Sequence, residues 1–275
     1  MRRGFGTWVG IGSFLLSGVV LVTARAGEPV APPPTSAAME AVPTADELLA
    51  RYVKAIGGRD KLKAVRSIRM QGKMSASGGF QAAYQLELKR PKSVRTEISA
   101  NGTTGIQASD GTKGWMIRAG GGANASTPVP LTPEQLQGLQ QSADIDGPLV
   151  DPKEKGFAVQ VVGKAPVGNA TAWELKLTDK EGVVRDFFLD TLTYFPIQEV
   201  VHKTVDGKEV ESEMRLGDYR EIGGLRFPYL LESANKTGPG GQRLALDKIE
   251  LNPDIPDERF AMPKANPTRP PPASK

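Results

Sequence analysis

His202 is the one histidine in 275 residues, and there is no cysteine. A Ser-His-Asp triad or an imidazole-based metal site would therefore have to be assembled around a single ring. His202 lies in VVHKT, where strand alternation puts it on the face opposite Val201 and reads it as a solvent-facing residue. Asp144, Asp146 and Asp151 in ADIDGPLVD resemble part of a calcium loop. The third acid before the glycine and the later bidentate glutamate are missing, so these acids read as the solvated end of a helix and its turn. The glycines of GTTG, AGGGAN and GPGG fall between strand-like runs rather than between a strand and a helix, so no phosphate cradle follows. Neither a catalytic set, a metal set nor a cofactor is expected from these residues.

The N-terminus explains part of the composition. Arg2 and Arg3 precede an apolar run from Trp8 to Val22, and Ala24-Arg25-Ala26 supplies a small-x-small cleavage signal. Residues 1–26 are thus expected to be a secretory signal peptide, which makes the protein periplasmic. The missing cysteine excludes disulfides, thiolate metal sites and a lipid-modified N-terminal cysteine, so no stable membrane anchor is expected after cleavage. Losing Arg2, Arg3 and Arg25 leaves 32 basic against 31 acidic residues and lowers the net charge from +4 to +1. No basic block with interleaved aromatics appears, so nucleic-acid binding has no footprint. Residues 27–43 and 264–275 are rich in Pro and poor in large apolar side chains, as expected of tethers. One domain remains, residues 44–263.

Its elements can be read in order. Thr44-Ala-Asp-Glu47 is a capping box, Leu48, Leu49, Tyr52, Val53 and Ile56 share one helical face, and Gly57-Gly58 supplies the left-handed stop. A shorter helical turn through Leu62 and Val65 follows. Beyond it, Met70 and Met74 alternate with polar residues, as do Tyr84, Leu86 and Leu88 in the next run. Alternation returns through Val94, Trp115 and Ile117, Val159, Trp173 and Leu175, Val201, Met214 and Leu216, Tyr229 and Leu231, and Leu244. Short turn signals, Asn101-Gly102, Asp110-Gly111, Asp206-Gly207, Gly223-Gly224 and Gly240-Gly241, join these runs into an antiparallel meander. The expected class is α+β, with a large curved antiparallel sheet of about ten or eleven strands and helices on its concave face. One helical insert interrupts the meander: Pro130 to Gln141 has Thr132 as N-cap, Pro133 at the first position, and Leu136 and Leu139 as a narrow apolar edge. Weakly apolar and rich in Gln, it is a candidate lid.

A sheet of this size with so few helices leaves a surplus of apolar surface. Met70, Met74, Met116 and Met214, with Tyr84, Trp115, Trp173 and Tyr229, put thioethers and aromatic rings on its apolar positions, which suits a cavity for flexible apolar guests. Leu86, Leu88, Ile117, Leu136, Leu139, Leu175, Leu216 and Leu231 complete the candidate lining.

Six segments carry a resemblance. TADELLARYVKAIGGRDKLKAVRSIRMQG, DGTKGWMI, ADIDGPLVDPKEKG, FFLDTLTYFPIQEVV, DYREIGGLRFP and LNPDIPDERFAMP together resemble the outer-membrane lipoprotein-sorting proteins of the LolA/LolB-like class. That resemblance implies an incomplete antiparallel barrel whose concave face is closed by helices, with lipid or lipoprotein acyl chains held between them. The function expected is a non-enzymatic carrier of such chains; the competing expectation is an envelope interaction or sensor module that binds a protein partner.

Overall fold

The computed structural model describes residues 41–120, 127–205, 208–234 and 241–263. The expected signal peptide, most of the proline-rich linker, the tail, the Asp206-Gly207 turn and Gly240 lie outside the described residues.

The chain opens with two helices, α1 (Ala45–Ala55) and α2 (Arg59–Lys63). The capping box forms as expected: Thr44 Oγ accepts from the Glu47 N–H at 3.3 Å, and the Thr44 N–H donates to Glu47 Oε2 at 2.8 Å. Gly57 stops α1 with φ of +113°, and glycine is required there for a second reason. A Cβ on it would lie 2.1 Å from the Gly224 carbonyl oxygen. The end of α1 therefore sits directly on a strand turn, where the Arg226 N–H donates to the Ile56 carbonyl at 2.9 Å.

Thirteen strands follow in one antiparallel sheet. The first five are β1 (Ser67–Ala76), β2 (Phe80–Lys89), β3 (Ser93–Ala100), β4 (Thr103–Ser109) and β5 (Gly114–Ile117), and the two-residue β6 (Val129–Pro130) leads into helix α3 (Pro133–Gln141). The remainder are β7 (Ala158–Val167), β8 (Ala170–Thr178), β9 (Val184–Asp190), β10 (Pro196–Val205), β11 (Lys208–Ile222), β12 (Leu225–Ala234) and β13 (Gln242–Leu251). The spatial order is β6-β5-β4-β3-β2-β1-β13-β12-β11-β10-β9-β8-β7. Every neighbour is sequential except where β13 returns to lie between β1 and β12. The strand count exceeds the expected ten or eleven because β4, β6 and β9 carry weak or broken alternation.

The sheet is strongly curled, and α3 shows by how much. Leu131 and Leu136 pack onto the bare backbone of Gly114 in β5, where a Cβ would meet them at 2.7 and 2.9 Å. At its other end Gln141 Oε1 accepts from Arg185 Nη2 on β9 at 2.8 Å. Strands β5 and β9 are nine places apart in the order, about 43 Å in a flat sheet. A nine-residue helix is only about 14 Å long. One short helix can touch both sides only if the sheet folds around it.

Two cores fill the concavity. Leu48 and Leu49 of α1, with Leu149, cover Trp173, Leu175, Leu177, Phe187 and Leu189 of β8 and β9. A second core gathers Ile56, Leu62 and Val65 with Ile68, Leu88, Val94, Leu225, Leu246 and Ile249, and α3 contributes Leu139. Tyr52 packs against both.

Candidate functional site

Residues directly opposite in an antiparallel ladder share a face, so the register decides which side chains meet. Leu216 faces Leu231, Leu231 faces Leu244, Leu244 faces Met74, and Met74 faces Ala82. This apolar row crosses β11, β12, β13, β1 and β2 on the inner face. One step along the strands, Tyr84 stands beside Gly72, and beyond it Leu86 beside Met70 beside Ile249, then Leu88 beside Ile68 beside Leu251. Met214 continues the inner face of β11 on the other side of the row, opposite Glu199 and Ser233.

Coverage changes along these strands. Towards the end where α2 and the chain from Ala143 to Val150 lie, Ile68, Leu88, Val94, Leu225 and Ile249 are at or below 5 % exposure. Towards the other end Met214, Leu216, Leu231, Leu244 and Tyr84 are only half-buried, while Met74 and Ala82 are buried beneath their neighbours. Neither α1, which sits over β7 to β9, nor α3, which sits against β3 to β5, covers that stretch fully. The inner face of the central strands is thus apolar and only partly covered at this end, a stretch termed here the trough. Burial pushes the Tyr84 phenol up to about 12, as expected for a ring in apolar surroundings.

The other candidate residues fall elsewhere. Trp173 and Leu175 lie on the inner face but are filled core, at 4 % and 0 % exposure beneath α1. Tyr229 is buried in the second core, with the Arg220 guanidinium 4.4 Å from its ring centroid. Leu136 and Leu139 of α3 face β5 and the second core.

Trp115 and Ile117 stand on the opposite, outer face. Trp115 is opposite Ala108, Ala108 opposite Arg95, and Arg95 opposite Glu87. Trp115 is nonetheless 2 % exposed, because the chain after β13 crosses this face. Its indole N–H donates to the Phe260 carbonyl at 2.8 Å, and the Arg95 guanidinium lies 5.3 Å from its ring centroid. Arg259 donates to Glu87 at 2.8 and 3.0 Å and to Glu97 at 2.8 Å, while Arg69 reaches Glu87 at 2.9 Å. Trp115 therefore anchors the C-terminal segment, and neither it nor Ile117, which shares its outer face, can line the inner trough.

The polar residues behave structurally. Asp146 and Asp151 are not solvated: α2 and the β2–β3 turn bring cations onto them. Asp146 pairs with Arg90 and, at 2.9 Å, with Lys63, and Asp151 pairs with Arg59 and Lys63. Burial pushes the Asp146 carboxyl up, but hydrogen bonds from Arg90 and Lys63, with their charges, outweigh it and hold it below the usual carboxylate range. His202 is half-exposed, with Nε2 3.0 Å from Asp186 on β9 and Nδ1 3.8 Å from Glu211 on β11. Among the described residues no three His, Asp or Glu side chains are grouped to hold a metal, and no helix is long and apolar enough to cross a membrane. An open groove of about 610 Å³ lies between α1 and the loop from Leu149 to Glu154. No strand contributes to it, and ion pairs Asp46–Lys153 and Arg59–Asp151 span its rim.

This combination, a long open antiparallel sheet curled around a few short helices, is a LolA-like fold. The chain is similar to a LolA superfamily protein from Nitrosomonas europaea, with 14% identity, a TM-score of 0.52, and 79% of this chain matched to 97% of that one. It is similar to a DUF1329 family protein from Desulfovibrio piger, with 12% identity, a TM-score of 0.56, and 79% and 97% of the two chains covered. An outer membrane lipoprotein-sorting domain from Vibrio parahaemolyticus matches at 8% identity and a TM-score of 0.54, over 78% of this chain and 97% of that one. At these identities the likeness is one of fold. No protein-family model matches the sequence, and no curated protein matches it.

Proposed function

We propose that this protein is a periplasmic carrier that holds acyl chains of a lipid or lipoprotein in the inner trough, by burial alone and without covalent chemistry. The observation that carries the reading is the gradient of coverage along the central strands. One end of the inner face is a packed core, and the other presents Met214, Leu216, Leu231, Leu244 and Tyr84 half-covered. A guest chain would complete the burial that the helices leave unfinished. Each methylene covered is worth about 0.8 kcal/mol, so roughly ten of them give about 8 kcal/mol before the costs of association. Export through residues 1–26 fits a cargo found in the envelope, and the lack of a cysteine fits a carrier released from the membrane rather than one tethered to it.

Native mass spectrometry of the protein purified from the periplasm, followed by organic extraction, tests the reading. Co-purifying acyl lipid is the expected result. A protein that emerges empty and takes up neither a fluorescent fatty acid nor a lipopeptide would overturn it.

A further inference from the structure

The sheet ends at β6, two residues long, on one side and at β7, ten residues long, on the other. β7 is paired with β8, and among the described residues no strand lies along its other side. Among the described residues the outer row of N–H and C=O groups of β7 therefore has no strand partner and is a template for pairing with another chain. The second half of β7 carries the usual protections: a register shift between Val161 and Gly163, then Lys164 and Pro166. The first half carries none. From Phe157 to Gly163 there is no charged side chain, and Val162 is 49% exposed. Phe157, Val159 and Val161 are only partly buried against the core, whereas Trp173, Leu175 and Leu177 on the next strand are at most 4% exposed. The core stops one strand short of full cover.

We infer that this edge pairs with the same edge of a second copy of the chain, antiparallel about a two-fold axis at Gln160. A second copy is favoured by the charge pattern. Two-fold pairing sets a strand against its own reversed sequence, so charges near the axis oppose like charges, and this run has none. With the axis at Gln160, Val159 meets Val161 of the second copy twice over on the inner face, and the register shift after Val161 confines regular pairing to this short run. Lys164 lies beyond that shift and outside the paired run. Sliding the axis by one residue still leaves Gln160 within diagonal reach of its counterpart, so a charge at this position reports on the pairing in either register. An edge of this length buries little area, which makes the dimer a weak one, with a dissociation constant in the micromolar range.

Sedimentation velocity of the purified protein from about 1 to 200 µM tests this. The expected result is a monomer–dimer equilibrium. Gln160 is exposed, so Gln160→Lys and Gln160→Glu should leave the circular dichroism spectrum unchanged while each weakens self-association on the order of tenfold or more. An equimolar mixture of the two variants should restore the dimer, because opposite charges then meet at the axis. A wild-type chain that stays monomeric throughout, including one that uses this edge for a different protein, overturns the inference. So does a dimer insensitive to both variants, or a mixture no better associated than either variant alone.

Discussion

Leu231→Gln separates the trough from the core. Leu231 sits at the centre of the inner row, between Leu216 and Leu244, and is half-buried in the protein without a guest. Fully burying a leucine is worth about 1.5–3 kcal/mol, and most of that is already realised at Leu231, so about 1–2 kcal/mol is the expected loss of folding stability. The smaller remainder is realised only when a guest covers the side chain. Its loss, with the added cost of desolvating an amide, should weaken acyl-chain binding by about 1–2 kcal/mol, roughly five- to thirtyfold. Leu175→Ala is the control, since Leu175 is 0% exposed beneath α1 and its truncation should cost about 2–5 kcal/mol of stability. That variant should bind a guest as the wild type does while it remains folded. Urea denaturation gives the stabilities, and titration with a fluorescent fatty acid gives the affinities. A folded Leu231→Gln protein that binds as tightly as the wild type, or a Leu175→Ala protein that loses binding equally, would refute the placement of the guest.

Gly57→Ala forces a Cβ to within 2.1 Å of the Gly224 carbonyl oxygen at a φ of +113°, so a loss of about 3 kcal/mol or more is expected in urea denaturation; an unchanged midpoint would show that α1 is not seated on this turn. Arg259→Ala leaves Glu87, 1% exposed, with only Arg69 among the arginines that now bond it, and should cost about 2–3 kcal/mol, together with a changed Trp115 fluorescence as the strap loosens. Glu174 gives the opposite sign: burial first, and then the Asp186 charge, raise its folded-state pKa above the ordinary value. The folded protein therefore binds the extra proton, and stability falls as pH rises from the unfolded carboxyl range through the raised folded value. Glu174→Gln should be as stable as the wild type or more so at pH 7, with the difference vanishing below about pH 4; a destabilised variant at pH 7 would contradict the assignment.

Much of this arrangement was readable from the chain alone, and the exceptions have physical causes. Both caps of α1 and the N-cap of α3 depend on local residues, Thr44, Gly57 and Thr132, and were legible for that reason. Strands β11 to β13 face a core on one side, and β1 and β2 do so while the C-terminal segment covers the polar Glu87 on their other side, so the apolar-polar alternation of all five is clean. In β4 the inner positions are Gly105, Gln107 and Ser109 and the outer ones include Ile106 and Ala108, which inverts the usual contrast. In β9 Phe187 and Phe188 are adjacent, which breaks it. Alternation placed Trp115 and Ile117 on one face but could not say which. Both faces of β5 are buried, with Trp115 at 2% and Met116 at 8% exposure, because a segment without periodicity covers the outer side. Ile255 and Phe260, each 1% exposed, do this from positions where no helical or strand pattern marks them. The apolar residues of the central strands were identifiable as inward-facing, but their division into packed core and open trough depends on where the helices end over the sheet.

The open trough and the free edge have a common origin in the mismatch between the two outermost strands. A curled sheet becomes a barrel when its first and last strands pair, which needs edges of comparable length in matching register. Here the strands that would have to meet are β6, with two residues, and β7, with ten. Even perfect alignment would satisfy only a small part of β7, so closure gains little hydrogen bonding while straining the curvature set by α1 and α3. The sheet therefore remains open. Because it is open, its inner surface is not forced to the cross-section that side chains of a small closed barrel fill, and helices must supply the missing cover. α1 does so over β8 and β9, and α3 over β4 and β5. The strands midway between them, β11 to β13 with β1 and β2, are left with partial cover at one end. Lengthening β6 to match β7 would be expected to close the sheet, remove the free edge and shrink the trough together, since all three depend on the same unmatched ladder.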